Sequence, residues 1–349
     1  MAMKVTVTGA AGVLGSHLVR RLVDDGHDVH SVDLRPWSET SGAASRRHTV
    51  GDVRDPEVMA AAVAGADAVV HCAAALPSYP DDQIRSVIVD GTRNVLEASR
   101  RARVDRVVHI SSTAVYGLPT RVPTPEEYPR EPVDTYSRAK AEAETVCEAF
   151  RERGMCVPIL RPKTFLGPGR MGLFSMLFEW AEEGRNFPVL GRGDVRIQMF
   201  ALEDLVDVVT TTLGAPDDVA NDTYNVGAAE FGTIREDFQA VLDAAGHGRR
   251  VVPLPAGPAY AALSLLERTR LSPVYGRLLR KLRSDSYVSI ERARTRLGFR
   301  PRYSNQDAIL RTFSWWRAER AAGRLARTTG TTSREPWRQG VLSLAKVMF

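Results

Sequence analysis

The chain opens Lys4-Val5-Thr6-Val7-Thr8-Gly9-Ala10-Ala11-Gly12-Val13-Leu14-Gly15, and the reading of this stretch decides the fold. A β-branched run passes straight into glycines three residues apart. Ser16 to Val23 then carry apolar residues at helical spacing, and Gly26 is placed to stop that helix. Strand, tight turn and helix in this order make a nucleotide-binding unit. Gly9 and Gly12 let the backbone turn and approach a pyrophosphate, whose charge sits at the helix N-terminus. Val13 and Leu14 belong to the same cofactor-binding turn, and Gly15 allows close helix–strand packing. The next strand ends at Asp33, about 20 residues on, where a carboxylate meets a ribose diol. That acid would repel a 2′-phosphate, so the expected cofactor is NAD; Arg35, two residues later, is the feature that argues for NADP. Asp52 and Val53 follow a short third strand and are placed to meet the adenine edge, although Asp52 also suits a solvated loop acid.

Further along, strand-like runs at 68–72, 106–111 and 157–161 alternate with helical patterns at 84–102 and 135–153. That alternation predicts an α/β fold: a Rossmann-type doubly wound parallel sheet covered on both faces. Beyond residue 165 it gives way to helices, short strands and Pro/Gly-rich turns, a smaller α+β substrate-capping domain. The expected division is 1–165 for the nucleotide domain with a returning segment near 198–227, 166–320 for the substrate region, and 321–349 for a tail.

On the second long helix, Tyr136 and Lys140 stand four residues apart and so share one face. A phenol normally titrates near 10. An ammonium beside it, with a cationic nicotinamide ring nearby, favours the phenolate. Tyr136 is therefore a candidate proton acceptor for a substrate hydroxyl.

Taken together, the glycine turn, His71-Cys72-Ala73-Ala74, Ile110-Ser111-Ser112-Thr113-Ala114-Val115-Tyr116-Gly117, Tyr136 with Lys140, Arg161-Pro162, Gly167-Pro168, Tyr224-Asn225-Val226-Gly227 and Leu297-Gly298-Phe299 resemble the extended short-chain dehydrogenase/reductase family over roughly residues 4–320. The resemblance implies that Ser112 is the catalytic hydroxyl and that Lys140 also binds the nicotinamide ribose. It adds Ala73, Ala74 and Pro162 to the cofactor site. Ser111 is read as a strand-end hydroxyl without a role, and His71 as part of the nucleotide-pocket wall. Dehydrating members carry an Asp-Glu pair after the catalytic threonine; Thr113 and Ala114 stand there instead, and Ala114 also lacks the glutamate of the decarboxylating branch. Alcohol oxidation at one carbon is what remains. On the substrate side Thr164 occupies the place of a frequent asparagine, Ile197 that of a frequent diphosphate-binding arginine, and Arg192 and Arg196 are candidate anion ligands.

The leading expectation is an NAD-dependent epimerase acting at carbon 4 of a nucleoside-diphosphate sugar. The alternatives are a dehydrogenase or reductase of an apolar alcohol, as in the hydroxysteroid-dehydrogenase branch, and a non-catalytic nucleotide-bound protein. The family further implies a homodimer. Cys72, Cys147 and Cys156 and the seven histidines show no metal-ligand pattern, so no metal is expected, and the reduced thiols suit a cytoplasmic protein. The net charge of +5 is concentrated toward the C-terminus. Basic residues between Arg268 and Arg302, preceded by apolar Tyr260 to Leu266, suggest either a packed helix with exposed arginines or membrane-surface contact. No recognised nucleic-acid module accompanies them.

Overall fold

The computed structural model describes residues 2–37, 47–170, 174–255, 257 and 284–325. The apolar-basic stretch from Tyr260 to Arg283 and the tail beyond 325 lie outside the described residues. The strands are β1 (Lys4–Thr8), β2 (Asp28–Asp33), β3 (Arg47–Val50), β4 (Ala68–His71), β5 (Arg106–Ile110), β6 (Ile159–Pro162), β7 (Thr164–Leu166), β8 (Phe187–Leu190), β9 (Met199–Ala201), β10 (Thr223–Val226) and β11 (Val251–Leu254). The helices are α1 (Val13–Asp24), α2 (Pro56–Ala62), α3 (Asp81–Arg85), α4 (Gly91–Arg101), α5 (Thr135–Glu152), α6 (Phe174–Glu182), α7 (Leu202–Gly214), α8 (Asp217–Ala220), α9 (Ile234–Ala245), α10 (Glu291–Arg296) and α11 (Asn305–Ala321). The single helix expected at 84–102 is instead α3 and α4 joined by a π-helical turn over Ser86–Asp90.

Seven parallel strands form the central sheet in the order β3-β2-β1-β4-β5-β6-β10. The order reverses between β1 and β4, and the crevice beyond the strand C-termini at such a switch point is where open α/β sheets bind ligands. On one face α1 buries Leu14, Leu18, Val19 and Leu22, joined by Leu205, Val208 and Val209 of α7 and by Ala293, Leu297 and Phe299 around α10. On the other face, Met59 of α2, Val95 and Leu96 of α4 and Ala143, Val146, Cys147 and Phe150 of α5 cover the sheet. Burial on both faces explains why the strands read as continuous apolar runs rather than as alternation.

A second apolar centre sits outside this sheet. Phe178, Trp180, Phe313 and Trp316 are all buried there, with Phe313 and Trp316 stacked at 6.1 Å. Around them lie α6, α9, α11 and the parallel pair β8–β11. The pair β7–β9 continues directly from β6 on one side and into α7 on the other. The chain therefore leaves the nucleotide sheet after Pro162 and comes back to supply α7, β10 and α10.

Candidate active site

At the first turn, sterics select glycine. Gly9 has φ +68°, and a Cβ there would lie 2.6 Å from the amide nitrogen of Ala73; a Cβ on Gly15 would lie 2.2 Å from the Gly9 carbonyl oxygen. The turn is thus closed against the chain leaving β4, and α1 starts directly above it. The Asp33 carboxylate accepts from the amide of Ala11 at 2.9 Å and from that of Arg35 at 3.0 Å, which holds it at the lip of the glycine turn. Arg35 folds back, donating to the Ala11 carbonyl at 3.1 Å with its Nε 3.5 Å from Asp33. A closed cradle with a carboxylate at its rim fits a dinucleotide with a free ribose diol. Asp52 is engaged by Arg54 at 2.6 Å, and this pairing holds its carboxyl below the usual range. Val53 is buried against Gly91, where a Cβ would approach its side chain to 2.8 Å. Ala73 is half-buried, Ala74 exposed and Pro162 buried at the end of β6.

The candidate catalytic side chains come from two neighbouring elements. A capping box starts α5: Asp134 accepts from the Ser137 amide at 2.7 Å while the Ser137 hydroxyl accepts from the Asp134 amide at 3.1 Å. This cap fixes the first turn of the helix and with it Tyr136, which is half-buried. One turn later Lys140 is 3% exposed and donates to the Ile110 carbonyl at the end of β5, at 2.8 Å. Burial pulls its ammonium down to about 8, against the attraction of Cys72 and Glu144. Ser112 follows β5 and accepts from the Ala114 amide at 3.1 Å, capping a 3₁₀ turn over Thr113–Tyr116 that packs on α5. Ser112 and Lys140 are in this way held at the C-terminal end of β5, one strand from the switch point, and Tyr136 stands one helical turn before Lys140.

Behind them lies a buried polar network that the spacing of the sequence does not reveal. Ser111, expected to have no role, donates to Glu144 at 2.5 Å. Glu144 is fully buried and takes two bonds from Arg161, at 2.9 and 2.6 Å. Arg161 also donates to the Tyr116 hydroxyl at 2.7 Å, which donates to Asn225 at 2.8 Å. The segment that follows β5 is thereby cross-linked to α5, β6 and β10 beneath the turn that Ser112 caps. The segments involved are far apart in sequence, so only the sheet order brings them together. His71 is likewise corrected. It lies inside the sheet with ring nitrogens 2.7 Å from the Thr8 hydroxyl and 3.1 Å from that of Thr92. Burial, reinforced by Lys140, pushes its imidazole down to about 3. It is a satisfied core histidine rather than a pocket wall. Cys72 lies just beyond β4 and is half-buried, its thiol pushed up to about 12 by desolvation.

The residues expected to meet substrate are held more loosely. Thr164 is exposed on β7. Arg192 is exposed and 3.6 Å from Asp194. The Arg196 guanidinium is flanked by the rings of Phe231 and Tyr287, at 5.0 and 5.5 Å, and Ile197 packs partly buried beside α9 and α11. Tyr287 also lines a small cavity together with Thr113, Tyr116, Lys163 and Ser286. Lys163, between Pro162 and Thr164, was not singled out by the sequence. A larger cleft between α3 and α5, lined by Asp81, Arg85, Arg138 and Glu142, contains none of the candidate catalytic side chains. Among the described residues no group of histidine, cysteine or carboxylate side chains is arranged to hold a metal, and no helix is long and apolar enough to cross a membrane.

Residues 5–227 match the family model described as "NAD dependent epimerase/dehydratase family". The chain is 35% identical to the uncharacterized protein y4nG of Sinorhizobium fredii, over 97% of this chain and 84% of that protein. It is 30% identical to the 3 beta-hydroxysteroid dehydrogenase/Delta 5-->4-isomerase of Mycobacterium tuberculosis, over 88% of each. The crystal structure of a UDP-glucose 4-epimerase from Thermotoga maritima, with UDP-glucose, superposes with a TM-score of 0.76 at 23% identity, covering 90% of this chain and 99% of that one.

Proposed function

The chain belongs to the NAD dependent epimerase/dehydratase family, and on that premise we propose that Ser112, Tyr136 and Lys140 perform acid–base chemistry at a hydroxyl-bearing carbon of a small-molecule substrate. When bound, NAD supplies the two-electron redox chemistry. Gly9, Gly12, Val13, Leu14 and Gly15 would hold its pyrophosphate, Asp33 the adenosine ribose, Asp52 and Val53 the adenine edge, and Ala73, Ala74 and Pro162 the remaining walls. Tyr136 takes the hydroxyl proton, Ser112 orients the oxygen, and the Lys140 ammonium stabilises the phenolate. The observation that carries this reading is Lys140. A buried ammonium anchored on the Ile110 carbonyl, one helical turn from Tyr136 and against the turn that Ser112 caps, costs folding stability, and a functional charge accounts for its being there.

For the substrate, the first reading is a nucleoside-diphosphate sugar turned over at carbon 4, with Arg192 and Arg196 toward the diphosphate. Thr113 and Ala114 offer no acid or base for elimination, which supports epimerisation over dehydration. A second reading, oxidation or reduction of an apolar secondary alcohol, is favoured by Ile197 at the place of a diphosphate-binding arginine and by the aromatic clamp on Arg196. The hydroxysteroid-dehydrogenase relative supports the same reading. In either case α4 and α5 would form a homodimer interface.

The deciding experiment purifies the protein without added cofactor, denatures it and identifies the released nucleotide by mass spectrometry. Near-stoichiometric NAD supports the epimerase, which keeps its cofactor through the cycle. An empty protein that binds NAD reversibly supports the dehydrogenase, and one that binds neither NAD nor NADP overturns the catalytic reading.

A further inference from the structure

We propose that Arg35 makes the adenosine end of the cofactor site a receptor for a ribose 2′-phosphate, so that the protein takes NADP as well as NAD. The inference rests on the reading above, that the glycine turn and Asp33 hold a dinucleotide. A lone Asp33 would exclude NADP by repelling the phosphate. Its carboxylate is not alone. The Ala11 amide donates to one of its oxygens at 2.9 Å and the Arg35 amide to the other at 3.0 Å, and the Arg35 Nε lies 3.5 Å from that second oxygen. Two amide dipoles and a guanidinium therefore offset the carboxylate's charge at the rim. What an incoming group meets is the cation: the Arg35 side chain is 45% exposed and that of Asp33 10%. The guanidinium is also aimed. Its Nη2 donates to the Ala11 carbonyl at 3.1 Å, which lays it along the glycine turn. Nε2 of His48 on β3 donates to the Arg35 carbonyl at 3.1 Å and fixes the backbone that carries it. Among the described residues Nη1 has no hydrogen-bond partner. A phosphate on the 2′-oxygen of a ribose held by Asp33 lies beside the carboxylate, and so beside this guanidinium. The planar fork and permanent charge of arginine suit phosphate, and an arginine near the acid is a general means of accommodating a 2′-phosphate. NAD loses nothing, since each oxygen of Asp33 keeps a lone pair for the diol.

The test reads binding and needs no substrate. Full-length protein, freed of any bound nucleotide, is titrated with NADH and with NADPH, which differ only in the 2′-phosphate. NADPH is expected to bind within about tenfold of NADH, or tighter. Arg35→Ala and Arg35→Gln should each weaken NADPH by about ten- to a hundredfold, the range for losing a charge-assisted hydrogen bond, and leave NADH within about threefold. Arg35→Gln keeps a donor toward the Ala11 carbonyl, so it serves if Arg35→Ala disturbs the turn. A wild type that binds NADH more than about tenfold tighter than NADPH overturns the proposal, as does a ratio of the two affinities that both variants leave within about threefold of wild type. The two readings fail separately. NADH bound without NADPH removes the role of Arg35 alone. Both nucleotides bound, without hydride transfer to or from any alcohol or sugar, removes the catalytic reading alone, and binding of neither removes both.

Discussion

Gly9, Asp33 and Lys140 are fixed by main-chain atoms, whereas Thr164, Arg192 and Arg196 stand on an edge strand and a loop. A carbonyl, two amides and a backbone that tolerates no Cβ define the redox side. Aromatic rings, one long bond to the Phe231 carbonyl, a surface aspartate and solvent surround the candidate substrate residues. Main-chain positions follow from strand register and change little with side-chain substitution. Loop side chains are exchangeable, which is how one redox scaffold serves many substrates. The contrast predicts that the two halves respond differently to mutation.

The largest expected effect tests whether the redox side depends on its buried network. Glu144→Ala leaves Arg161 without its carboxylate in the interior and should cost about 3–5 kcal/mol, read from the denaturant midpoint at constant m-value. A loss below about 1 kcal/mol would break the contrast, since that is the range of ordinary surface changes. Next comes Tyr136→Phe. Turnover should fall by about 10² or more, with NAD affinity nearly intact by titration. Near wild-type turnover would remove Tyr136 from the mechanism.

The third prediction concerns pH. Lys140 is lowered from 10.5 to about 8 by burial, so between those values the unfolded chain holds a proton that the folded protein has released. Stability of the cofactor-free protein should therefore rise with pH through this window, by up to about 3 kcal/mol. Thermal melts of wild type and Lys140→Met across pH 7–10 isolate the effect: the rise should vanish in the variant. A wild-type curve parallel to the variant's would show that Lys140 titrates alike in both states, and one that falls more steeply would show the ammonium to be stabilising instead. Smallest of all is Arg192→Ala, with a stability change under about 0.5 kcal/mol. If a nucleotide sugar is the substrate, its KM should rise severalfold with kcat unchanged, the signature of lost uniform binding. An unchanged KM for such a substrate removes Arg192 from the site.

The legible part of the site was the part written in local sequence. Gly9 to Gly15, Asp33 and the Tyr136–Lys140 spacing lie within single βα units or single helical turns, where local geometry is sufficient. The Ser111–Glu144–Arg161–Tyr116–Asn225 network was not, because it needs the sheet order β5-β6-β10 before its members meet. Lys163 was hidden for a similar reason: its partner Ser286 arrives from 123 residues away. Arg196 was read as an anion ligand on local pattern alone, since Phe231 and Tyr287 enter from other segments. His71 was misread because its neighbours Thr8 and Thr92 belong to a different strand and a different helix.

The return of the chain to β10 bears on how the molecule is made. Ile159 to Pro162 pair with Thr223 to Val226, and the face beside them is closed by α7, Ala293, Leu297 and Phe299. A ribosome that has released only the first 165 residues has released a sheet with an open edge at β6 and an uncovered apolar face. Synthesis runs at about 5–20 residues per second, so that incomplete sheet persists for about 7 to 27 seconds before residue 299 emerges. During that interval the strand edge is a template for pairing with another chain. The stability of the finished protein does nothing for that edge and face, which only residues still to be made can cover.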